Sequence, residues 1–530
     1  MKPFATLLDR LLYTPQRGVK LRLMEDYLRT TPDPDRGWGL AALTGSLAFR
    51  NAKPTLIRDL VGTRVDPVLF AWSHDFVGDL AEAAALVWPE RPTNRDWPRL
   101  VEVVTTLDTL PKRDLPDEVA AWLDALDADG RWALLKLITG SLRVGASARL
   151  AKSAVAALGP VPVEAVEEAW HGLSPPYAPL FAWLEGKAPQ PDHSAAPVFR
   201  PLMLAHALED EDRAKLDPDA YAAEWKWDGI RVQIASQGGE VRLFSRTGDD
   251  ISPVFPDIRE AVNFEGVVDG ELLVRHEGTG LGSFNDLQQR LGRKAVTPKT
   301  MAAYPAFVHL YDILYDGMED VRPLPYPERR ARLEALFRRH RPPRMDLPPP
   351  VPFEGLAELD ALRLSCEGTE REGVMLKRKD SPYTAGRPKG PWFKWKRDPR
   401  RLDCVVMYAQ RGHGKRSSFY SDYTFGVWRG NELVPVGKAY SGFTDEELGR
   451  LDRWIRDHTV KRYGPVREVS PGLVLEIAFD AAHRSTRHKS GLAMRFPRVA
   501  RIRWDKPFEE ADRIETLERM VEGERTSDVG

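Results

Sequence analysis

Apolar residues near the start of the chain recur at helical spacing. The first such stretch contains Phe4, Leu7, Leu8, Leu11 and Leu12. Similar patterns return at 119–126 and 132–138, whereas strand-like runs are scarce before residue 190. The pattern therefore predicts a helical domain over residues 1–190.

The hydrophobic pattern changes after residues 186–197, a stretch rich in proline, glycine, alanine and polar residues. Short β-type runs follow at 241–244, 267–274, 307–310, 374–376 and 392–395. They predict a mixed α/β domain over residues 198–398, with a proline-rich loop at 341–352 that interrupts the domain without ending it. The charged segment 397–401 marks the far boundary of this domain.

The last part of the chain has the pattern of a small β-barrel. Strand-like runs lie at 404–408, 423–428, 433–438 and 474–479, and Gly430-Asn431 forms a turn between the second and third runs. A short helix is expected from residue 509 onward. These features predict a third domain over residues 401–530.

The length of the chain, with 42% hydrophobic and 29% charged residues, is typical of a globular protein with several domains. A chain of 530 residues is long enough for about three domains of roughly 100 to 200 residues each. No apolar run approaches the roughly 18 residues of a membrane span, and the N-terminus lacks the pattern of a signal peptide. We therefore expect no membrane partner and a cytoplasmic location.

Cysteine content and net charge exclude some classes of site. The two cysteines, Cys366 and Cys404, cannot build a disulfide framework or a four-cysteine zinc site, and they fit a reducing compartment. The net charge is −1, so any nucleic acid must be bound by local basic patches rather than by an overall positive field.

The most informative segment is Glu224-Trp225-Lys226-Trp227-Asp228-Gly229-Ile230-Arg231. In an extended chain Glu224, Lys226 and Asp228 share one face, and the two tryptophans pack behind them. Such a lysine is a candidate nucleophile. Because this chemistry requires a neutral amine, we expect burial and nearby cations to lower its pKa from the usual value of about 10.4. The alternative is a solvated polar face that ends in an Asp-Gly hairpin turn.

Five further motifs place charged residues on strands that otherwise resemble buried ones. They are Ser245-Arg246-Thr247-Gly248, Asp269-Gly270-Glu271, Tyr311-Asp312, Glu372-Gly373-Val374-Met375-Leu376-Lys377 and Trp392-Phe393-Lys394-Trp395-Lys396. Each is weak alone, because turns, surface loops and solvated strand edges have similar sequences. In this order and spacing, and together with the segment at 224–231, they resemble the motifs of the covalent nucleotidyltransferase superfamily, most closely those of ATP-dependent DNA ligases.

The resemblance extends to both ends of the chain. Residues 495–506 look like the family's last motif, and residues 137–147 are similar to the signature of its helical DNA-binding domain. The resemblance implies a multidomain fold with an all-α DNA-binding domain at 1–190, an α/β nucleotidyltransferase domain of the ATP-grasp-like ligase type at 198–398, and a β-barrel OB-fold domain at 401–530. In length and domain set the chain looks most like the bacterial three-domain ligases of the DNA damage response.

The resemblance implies that the motifs bind ATP. Lys226 would attack the α-phosphate and carry AMP, while Lys394 and Lys396 would neutralise the phosphate and help to keep Lys226 unprotonated. Glu271 would accept hydrogen bonds from the ribose hydroxyls, and Tyr311 would stack on adenine, with Phe307 as the second candidate. The other residues implied to bind the nucleotide are Glu224, Arg231, Arg246, Arg503 and Lys506.

A divalent cation, Mg²⁺ or Mn²⁺, is also implied. Its ligand would be Glu372, with Glu271 as a second carboxylate. Arg231 and Arg246 would grip the nucleotide and the 5′-phosphate of a DNA nick, although either could belong to an ordinary structural ion pair.

The resemblance further implies a moving domain. Arg503, Asp505 and Lys506 would swing over ATP during self-adenylation and away when DNA arrives. The hinge is expected at 397–401.

The implied partner is nicked double-stranded DNA, bound through its backbone by a monomer. Candidate DNA contacts in the helical domain are Arg143, Ser147 and Lys152. Those in the third domain, where a solvated basic surface is an equally good interpretation, are Arg411, Lys415, Arg416, Arg484, Arg487 and Lys489. A DNA-repair nuclease or helicase is a further expected partner, and the expected cytoplasmic location is nucleoid-associated.

These expectations together describe an ATP-dependent DNA ligase that seals 3′-OH/5′-phosphate nicks through a lysyl-AMP intermediate and a DNA-adenylate. An RNA ligase or capping guanylyltransferase uses the same lysine chemistry but does not explain the long helical domain. An NAD-dependent DNA ligase needs a four-cysteine zinc module that two cysteines cannot build. A non-catalytic nick-binding scaffold is the alternative from another class, although Lys226 and the other charged motif residues are all present.

Overall fold

The computed structural model of the chain describes residues 1–91, 93–192, 196–276, 278, 280–291, 293, 295–366, 369–412, 419–485 and 489–526. The chain divides into two compact units, Met1–His193 and Ser194–Gly530. The division falls inside the proline- and alanine-rich stretch at 186–197. Within the described residues, no helix combines the length and apolar character that crossing a membrane requires.

The first unit is built of helices. They are α1 (Lys2–Tyr13), α2 (Arg17–Thr30), α3 (Asp35–Thr44), α4 (Pro54–Gly62), α5 (Pro67–Val77), α6 (Leu80–Val87), α7 (Leu100–Thr109), α8 (Leu115–Ala125), α9 (Ala128–Thr139), α10 (Ala148–Ala156), α11 (Val163–Trp170) and α12 (Ala178–Leu184). The three predicted helical patterns coincide with α1, α8 and α9, and no strand occurs among the described residues of this unit.

Helix α1 illustrates how the apolar pattern builds the core. Phe4, Leu7, Leu8 and Leu11 are buried, whereas Leu12 is 43% exposed. Consecutive residues of a helix point about 100° apart, so a side chain next to the buried stripe turns toward solvent. The prediction that α1 is amphipathic is confirmed, and its apolar stripe ends at Leu11.

Side-chain caps fix the starts of α9 and α10, the two helices that residues 140–147 connect. Asp127 accepts a hydrogen bond from the amide of Gly130 at 2.9 Å, and Ser147 accepts one from the amide of Leu150 at 3.2 Å. Each cap stabilises its helix by about 1 kcal/mol. The connection between these helices carries Arg143, which is exposed and has a left-handed backbone with φ of 52°.

The second unit begins with a mixed α/β region. Its strands are β1 (His206–Ala207), β2 (Tyr221–Trp227), β3 (Ile230–Gln237), β4 (Glu240–Ser245), β5 (Gly266–His276), β6 (Gly280–Leu281), β7 (Ala306–Asp316), β8 (Glu319–Asp320), β9 (Met345–Asp346), β10 (Arg371–Arg378) and β11 (Trp392–Lys396). Its helices are α13 (Asp210–Arg213), α14 (Pro256–Ala261), α15 (Phe284–Gln288), α16 (Pro298–Ala303), α17 (Tyr326–His340) and α18 (Leu356–Leu364). All five predicted β-runs lie within these strands.

Two sheets organise this region. The smaller has the order β1-β11-β10-β2, and the larger has the order β4-β3-β5-β7-β8, with β6 and β9 attached to β5 and β7. An apolar cluster that includes Met203, Phe244, Leu314 and Trp392 joins residues of both sheets. Residues of α14 and α17 pack with the larger sheet, and Leu359 of α18 packs with the smaller. The cleft described below is lined from both sheets.

The remaining residues form the predicted β-rich region. Its strands are β12 (Arg400–Arg411), β13 (Tyr420–Arg429), β14 (Glu432–Ala439), β15 (Thr459–Tyr463), β16 (Val466–Val469), β17 (Val474–Phe479), β18 (Ala481–Arg484), β19 (Leu492–Arg495) and β20 (Arg498–Arg503), and its helices are α19 (Asp445–Asp457) and α20 (Ile514–Thr526). The main sheet has the order β14-β13-β12-β16-β15, and β17 pairs with β12 and β20. The four predicted strands, the Gly430-Asn431 turn and the terminal helix are confirmed.

A fully buried ion pair fixes α17 against the larger sheet. Arg329 Nε and Nη2 donate to the two carboxylate oxygens of Asp312 at 2.9 and 3.2 Å. Arg329 Nη1 donates to the backbone oxygens of Leu324 and Ser381 at 2.6 and 3.0 Å. Because the guanidinium has several partners, its burial leaves little hydrogen-bonding capacity unused.

We expect Arg329→Ala to lower the free energy of unfolding by about 3–5 kcal/mol, because the buried Asp312 carboxylate loses its partner. Arg332 provides the control, since it lies on the same helix and pairs with Asp316 at 3.2 Å, but its side chain is 43% exposed. Arg332→Ala should cost less than about 1 kcal/mol. Urea unfolding followed by tryptophan fluorescence compares the two variants, and equal losses would contradict the core role of Arg329.

Candidate active site

Strand β2 positions Lys226 in a cleft between the sheets. Trp225 and Trp227 lie on the opposite face of the strand, where the Arg371 guanidinium covers their rings at 4.3 and 5.3 Å. Lys226 and Glu224 line the cleft. Trp225 and Trp227 also contribute to the lining of the cleft, so the predicted division of faces along this strand is confirmed only in part.

The Asp228-Gly229 step carries the chain from one sheet to the other. Strand β2 pairs with β10 in the smaller sheet, whereas β3 pairs with β4 and β5 in the larger one. The alternative interpretation as a hairpin turn is therefore wrong. A Cβ atom at Gly229 would lie 2.5 Å from the backbone oxygen of Leu272 and 2.8 Å from Glu271 Cγ. Glycine thus permits the close approach that brings Glu271 beside Lys226.

The cleft is a strongly basic cavity of about 440 Å³. Seven basic and three acidic side chains line it: Lys226, Arg231, Arg246, Lys377, Lys394, Lys396, Arg495, Glu224, Glu271 and Glu372. Tyr311 and Trp392 add aromatic surface. This excess of cations suits a ligand with several negative charges, such as a nucleoside triphosphate.

Lys226 is held mainly by carboxylates. Its Nζ lies 2.6 Å from Glu372 Oε2. Burial alone would lower the pKa of Lys226, but the negative charges of Glu372 and Glu271 outweigh burial, and the net pKa is raised. The expectation of a lowered pKa is therefore wrong for this arrangement of charges, in which the amine is protonated at neutral pH.

The carboxylates near Lys226 are electrostatically linked. Burial raises the pKa of Glu271 to about 7, and the charge of Glu372 adds to this rise although Lys226 opposes it. Burial and Glu372 likewise raise the pKa of Asp228. For Glu372 itself, burial favours the neutral acid, but Lys226 and Lys396 hold its pKa at about 2. Glu372 therefore carries a full negative charge at neutral pH.

Glu372 and Glu271 fit a divalent cation that takes few protein ligands. Their repulsion, visible in the raised pKa of Glu271, would be relieved by a hard cation between them. Among the residues with described side chains, no group of three or more His, Cys, Asp or Glu is arranged to enclose a metal. Mg²⁺ held here would therefore keep water and phosphate oxygens as its other ligands.

Lys394 and Lys396 enter the cleft from β11. Lys396 lies opposite Gly373 on β10, and its Nζ is 3.1 Å from Glu372 Oε2 and 3.3 Å from Asp480 Oδ2. Burial and the charges of Lys396 and Lys226 lower the pKa of Lys394. No residue in the described part of the chain forms a hydrogen bond or ion pair with Lys394 Nζ. This lysine is available to an anionic ligand.

Glu224 and Lys377 form the buried base of the cleft. Tyr326 Oη donates to Glu224 Oε1 at 2.5 Å, and Lys377 Nζ lies 2.8 Å from Glu224 Oε2. Lys377 is 1% exposed, donates to the backbone oxygen of Tyr311 at 3.1 Å, and lies 4.8 Å from the centre of the Tyr311 ring. These contacts fix the aromatic face that is predicted to stack on adenine.

The two predicted phosphate-binding arginines have different surroundings. Arg231 donates to the backbone oxygen of Met203 at 2.7 Å, to Asp269 at 2.6 Å and to Tyr383 at 2.9 Å. Arg246 is exposed at the rim of the cleft and forms no hydrogen bond or ion pair with another described residue. Arg231 is thus committed to a structural pair, whereas Arg246 is available to phosphate.

The C-terminal β-rich region contributes Arg495 and Phe496 to the cavity. Arg495 Nη1 donates to both oxygens of Asp228, at 2.7 and 2.6 Å. By contrast, Arg503 and Lys506 do not line the cavity but pair with Asp403 at 3.3 and 2.7 Å. The structure therefore does not bring these two predicted nucleotide-binding residues to the site.

The candidate DNA contacts of the first unit also differ from one another. Arg143 is exposed, and its Nε donates to Ser141 Oγ at 3.2 Å. Lys152 is partly buried, with its Nζ 4.7 Å from the centre of the Trp170 ring, and burial lowers its pKa. Ser147 caps α10.

The candidate DNA contacts of the third domain are only partly described. Arg411, Arg484 and Lys489 are exposed. Lys415, Arg416 and Arg487 lie outside the described residues.

Sequence reasoning missed three cavity residues, Lys377, Trp392 and Arg495, as members of the site. All three occur within the motifs at 372–377, 392–396 and 495–506, but the resemblance implies no role for them. The signal for Lys377 was available, since it directly follows the apolar run at 374–376 on a strand expected to be buried. Pairing of Arg495 with Asp228, 267 positions away, has no local signal.

Comparisons with known proteins agree with the geometry. Residues 202–396 match the family "ATP dependent DNA ligase domain", and residues 416–506 match "ATP dependent DNA ligase C terminal region". "DNA ligase 1" of Korarchaeum cryptofilum (strain OPF8) is 31% identical over 548 residues, which cover 98% of each chain. The "Probable DNA ligase" of Koribacter versatilis (strain Ellin345) is 38% identical over 349 residues, covering 61% of this chain and 60% of that protein.

Another relative also extends beyond this chain. The "Probable DNA ligase" of Opitutus terrae (strain DSM 11246 / JCM 15787 / PB90-1) is 31% identical, with 98% of this chain and 62% of that protein covered. The chain thus spans about three fifths of the length of this and the Koribacter relative.

The fold also has a match among solved structures. The structure titled "Pmar-Lig_PreS3" has a TM-score of 0.63 at 16% identity, with 94% of this chain and 99% of that chain covered. The family matches and this neighbour support a nucleotidyltransferase domain followed by an OB-fold domain in the second unit. With a relative matched over nearly its whole length and both ligase regions present, the chain belongs to the ATP-dependent DNA ligase family.

Proposed function

We propose that this chain is an ATP-dependent DNA ligase that seals 3′-OH/5′-phosphate nicks in duplex DNA. The observation that carries the proposal is the convergence of Lys226, Glu271, Tyr311, Glu372 and Lys394 on one cavity, although they come from β2, β5, β7, β10 and β11. A nucleophile, an aromatic face, carboxylates and a free cation are the parts that an adenylate transfer needs.

The reaction consists of three transfers. First, the Lys226 amine bonds to the α-phosphorus of ATP and gives up a proton, and pyrophosphate leaves. Second, an oxygen of the 5′-phosphate attacks the same phosphorus, the P–N bond breaks, and the amine regains a proton. Third, the 3′-hydroxyl attacks the 5′-phosphorus and loses its proton, and AMP leaves. Lys394, Lys396 and Arg246 are positioned to balance phosphate charge in these steps.

The protonated Lys226 must become neutral before the first transfer. Glu372 is the main source of the negative charge that keeps its proton in place. Binding of Mg²⁺ at Glu372 and Glu271 would supply positive charge that offsets this carboxylate and polarises the phosphate oxygens. Lys396 bridges Glu372 and Asp480. Its release from either carboxylate would free a second cation for the phosphates.

The helical unit is proposed to bind the DNA duplex. Arg143 supports this role, because it is exposed on the loop between α9 and α10, just before the cap that Ser147 forms at the start of α10. Lys152 is the weaker candidate, since its ammonium lies over Trp170. The swinging role of Arg503 and Lys506, the monomeric state, the nuclease or helicase partners and the nucleoid-associated cytoplasmic location stay predictions.

Lys226→Ala should abolish self-adenylation because it removes the attacking nitrogen, while binding of nicked duplex persists. Incubation with α-labelled ATP measures the first property, and a gel-shift assay measures the second. Lys389→Ala is the control, since Lys389 is 75% exposed and does not line the cavity. Adenylation that survived Lys226→Ala would refute the assignment of the nucleophile.

Glu372→Gln should raise the Mg²⁺ concentration needed for half-maximal self-adenylation by at least about tenfold, because a charged ligand becomes neutral. A Mg²⁺ titration with labelled ATP measures this shift. Glu265→Gln, at an exposed position outside the cavity, should leave the midpoint unchanged. An unaltered Mg²⁺ requirement in Glu372→Gln would remove Glu372 as the metal ligand.

Lys506→Ala should reduce self-adenylation more than it reduces sealing of a pre-adenylated nick, because its proposed partner is the pyrophosphate of ATP. Comparing the two rates on the same preparation tests this difference. Lys438→Ala, an exposed lysine of β14, should change neither rate. Equal losses in both assays for Lys506→Ala would argue against a role confined to the first step.

A further inference from the structure

The end of α17 and the loop that follows form an exposed basic segment. Arg339 is exposed near the end of the helix, and Arg341 and Arg344 are exposed in the loop around Pro342-Pro343. We name Arg339, Arg341 and Arg344 the loop arginines. None of the loop arginines lines the nucleotide cleft.

Two of the loop arginines occupy left-handed backbone conformations. Arg341, the C-cap of α17, has φ of 42°, and Arg344 has φ of 60°. Glycine or asparagine adopts this region at lower cost, and glycine is the usual residue just after a helix. The chain therefore carries strain at both positions that a smaller residue would relieve. Such strain often marks a functional side chain.

Structural pairing does not explain these arginines. Within the described part of the chain, no hydrogen bond, ion pair or aromatic contact is made by the guanidinium of Arg341 or Arg344. Other arginines of the same domain, such as Arg329 and Arg290, are buried and paired with carboxylates. The loop arginines thus present unneutralised positive charge to solvent.

A groove beside the loop connects these charges to the sheet. Arg344, Arg275 and Phe307 line it, and the Arg275 guanidinium lies 4.3 Å from the centre of the Phe307 ring. Strand β9 pairs with β7 so that Met345 lies beside Val308. Arg344, the residue before Met345, therefore adjoins Phe307. Asp346 is the acid near this groove, and it contacts Arg275 at 3.5 Å and also His309.

Strand β7 contributes residues both to this groove and to the nucleotide cleft. Phe307 in the groove and Tyr311 in the cleft are four residues apart on this strand, or about 13 Å at 3.3 Å per residue. That distance is roughly four base-pair steps at about 3.4 Å each. A duplex whose nick lies in the cleft would therefore reach the groove within a few base pairs.

We propose that the loop arginines, with Arg275, bind the phosphodiester backbone of the nicked duplex within a few base pairs of the nick. This inference rests on the proposed ligase function. Guanidinium groups match phosphate oxygens, and their exposure fits contacts that bind without reading base sequence. At the two strained positions, the contribution of the arginine charge to DNA binding outweighs the cost of the left-handed backbone.

The test is a double substitution, Arg341→Gly with Arg344→Gly. It removes two charges and relieves the left-handed strain, so the melting temperature should stay the same or rise. The affinity for a nicked duplex with a 3′-dideoxy end should fall at least about tenfold, and the slope of log affinity against log salt should shrink by roughly one for each arginine. Self-adenylation with ATP alone should not change.

Two further variants complete the design. Arg341→Asn with Arg344→Asn keeps a residue that tolerates left-handed backbone and should weaken DNA binding equally. Arg242→Ala with Arg259→Ala removes two exposed arginines elsewhere in the domain and should leave the salt slope unchanged. An unchanged affinity and slope in both loop variants would overturn the proposal. A fall in melting temperature in both would do the same, since it would make the arginines structural.

The ligase proposal fails in a distinguishable way. If the unmodified chain does not form a covalent adenylate with ATP and Mg²⁺, the proposed function is wrong, whatever the loop variants do. If it does adenylate, and the loop variants bind nicked DNA as tightly as the unmodified chain, only the backbone-binding inference is wrong.

Discussion

One carboxylate controls the charge balance on which the cleft depends. Glu372 contacts Lys226 at 2.6 Å and Lys396 at 3.1 Å, so it holds the proposed nucleophile and a proposed phosphate ligand in the same place. This arrangement keeps the Lys226 amine protonated and places a negative charge between two basic side chains. It also means that the amine becomes reactive only when other charges offset Glu372. In the proposed reaction, binding of ATP and metal and activation of Lys226 would therefore be coupled through this side chain.

The scaffold around this cluster is rigid because it uses buried charges with complete sets of partners. Asp312 is satisfied by Arg329, and Glu224 by Tyr326 and Lys377. Burial of such a charged group without a partner costs on the order of several kcal/mol. Each pair therefore favours a single packing of the helix against the strand. The consequence is that Lys377 holds the Tyr311 ring in place from below.

The arginines of the second unit divide into two kinds. Arg231, Arg290 and Arg329 are paired with carboxylates inside the fold and position strands and helices. Arg246 and the loop arginines are exposed and lack such partners among the described residues. Because a net charge of −1 gives no overall attraction for DNA, local sets of unpaired arginine would provide the attraction in the proposed complex.

The sequence by itself determined the elements and the residue types of the site. Local periodicity can be recognised in a single sequence. It is present in the helical spacing around Phe4, in the alternation around Lys226 and in the short β-runs. Only the tertiary structure decided which charged side chains contact one another. The raised pKa of Lys226, the pairing of Arg495 with Asp228 and the distance of Lys506 from the cavity depend on contacts between residues far apart in the chain. Electrostatic energy depends on distance and burial, and neither is encoded in local sequence.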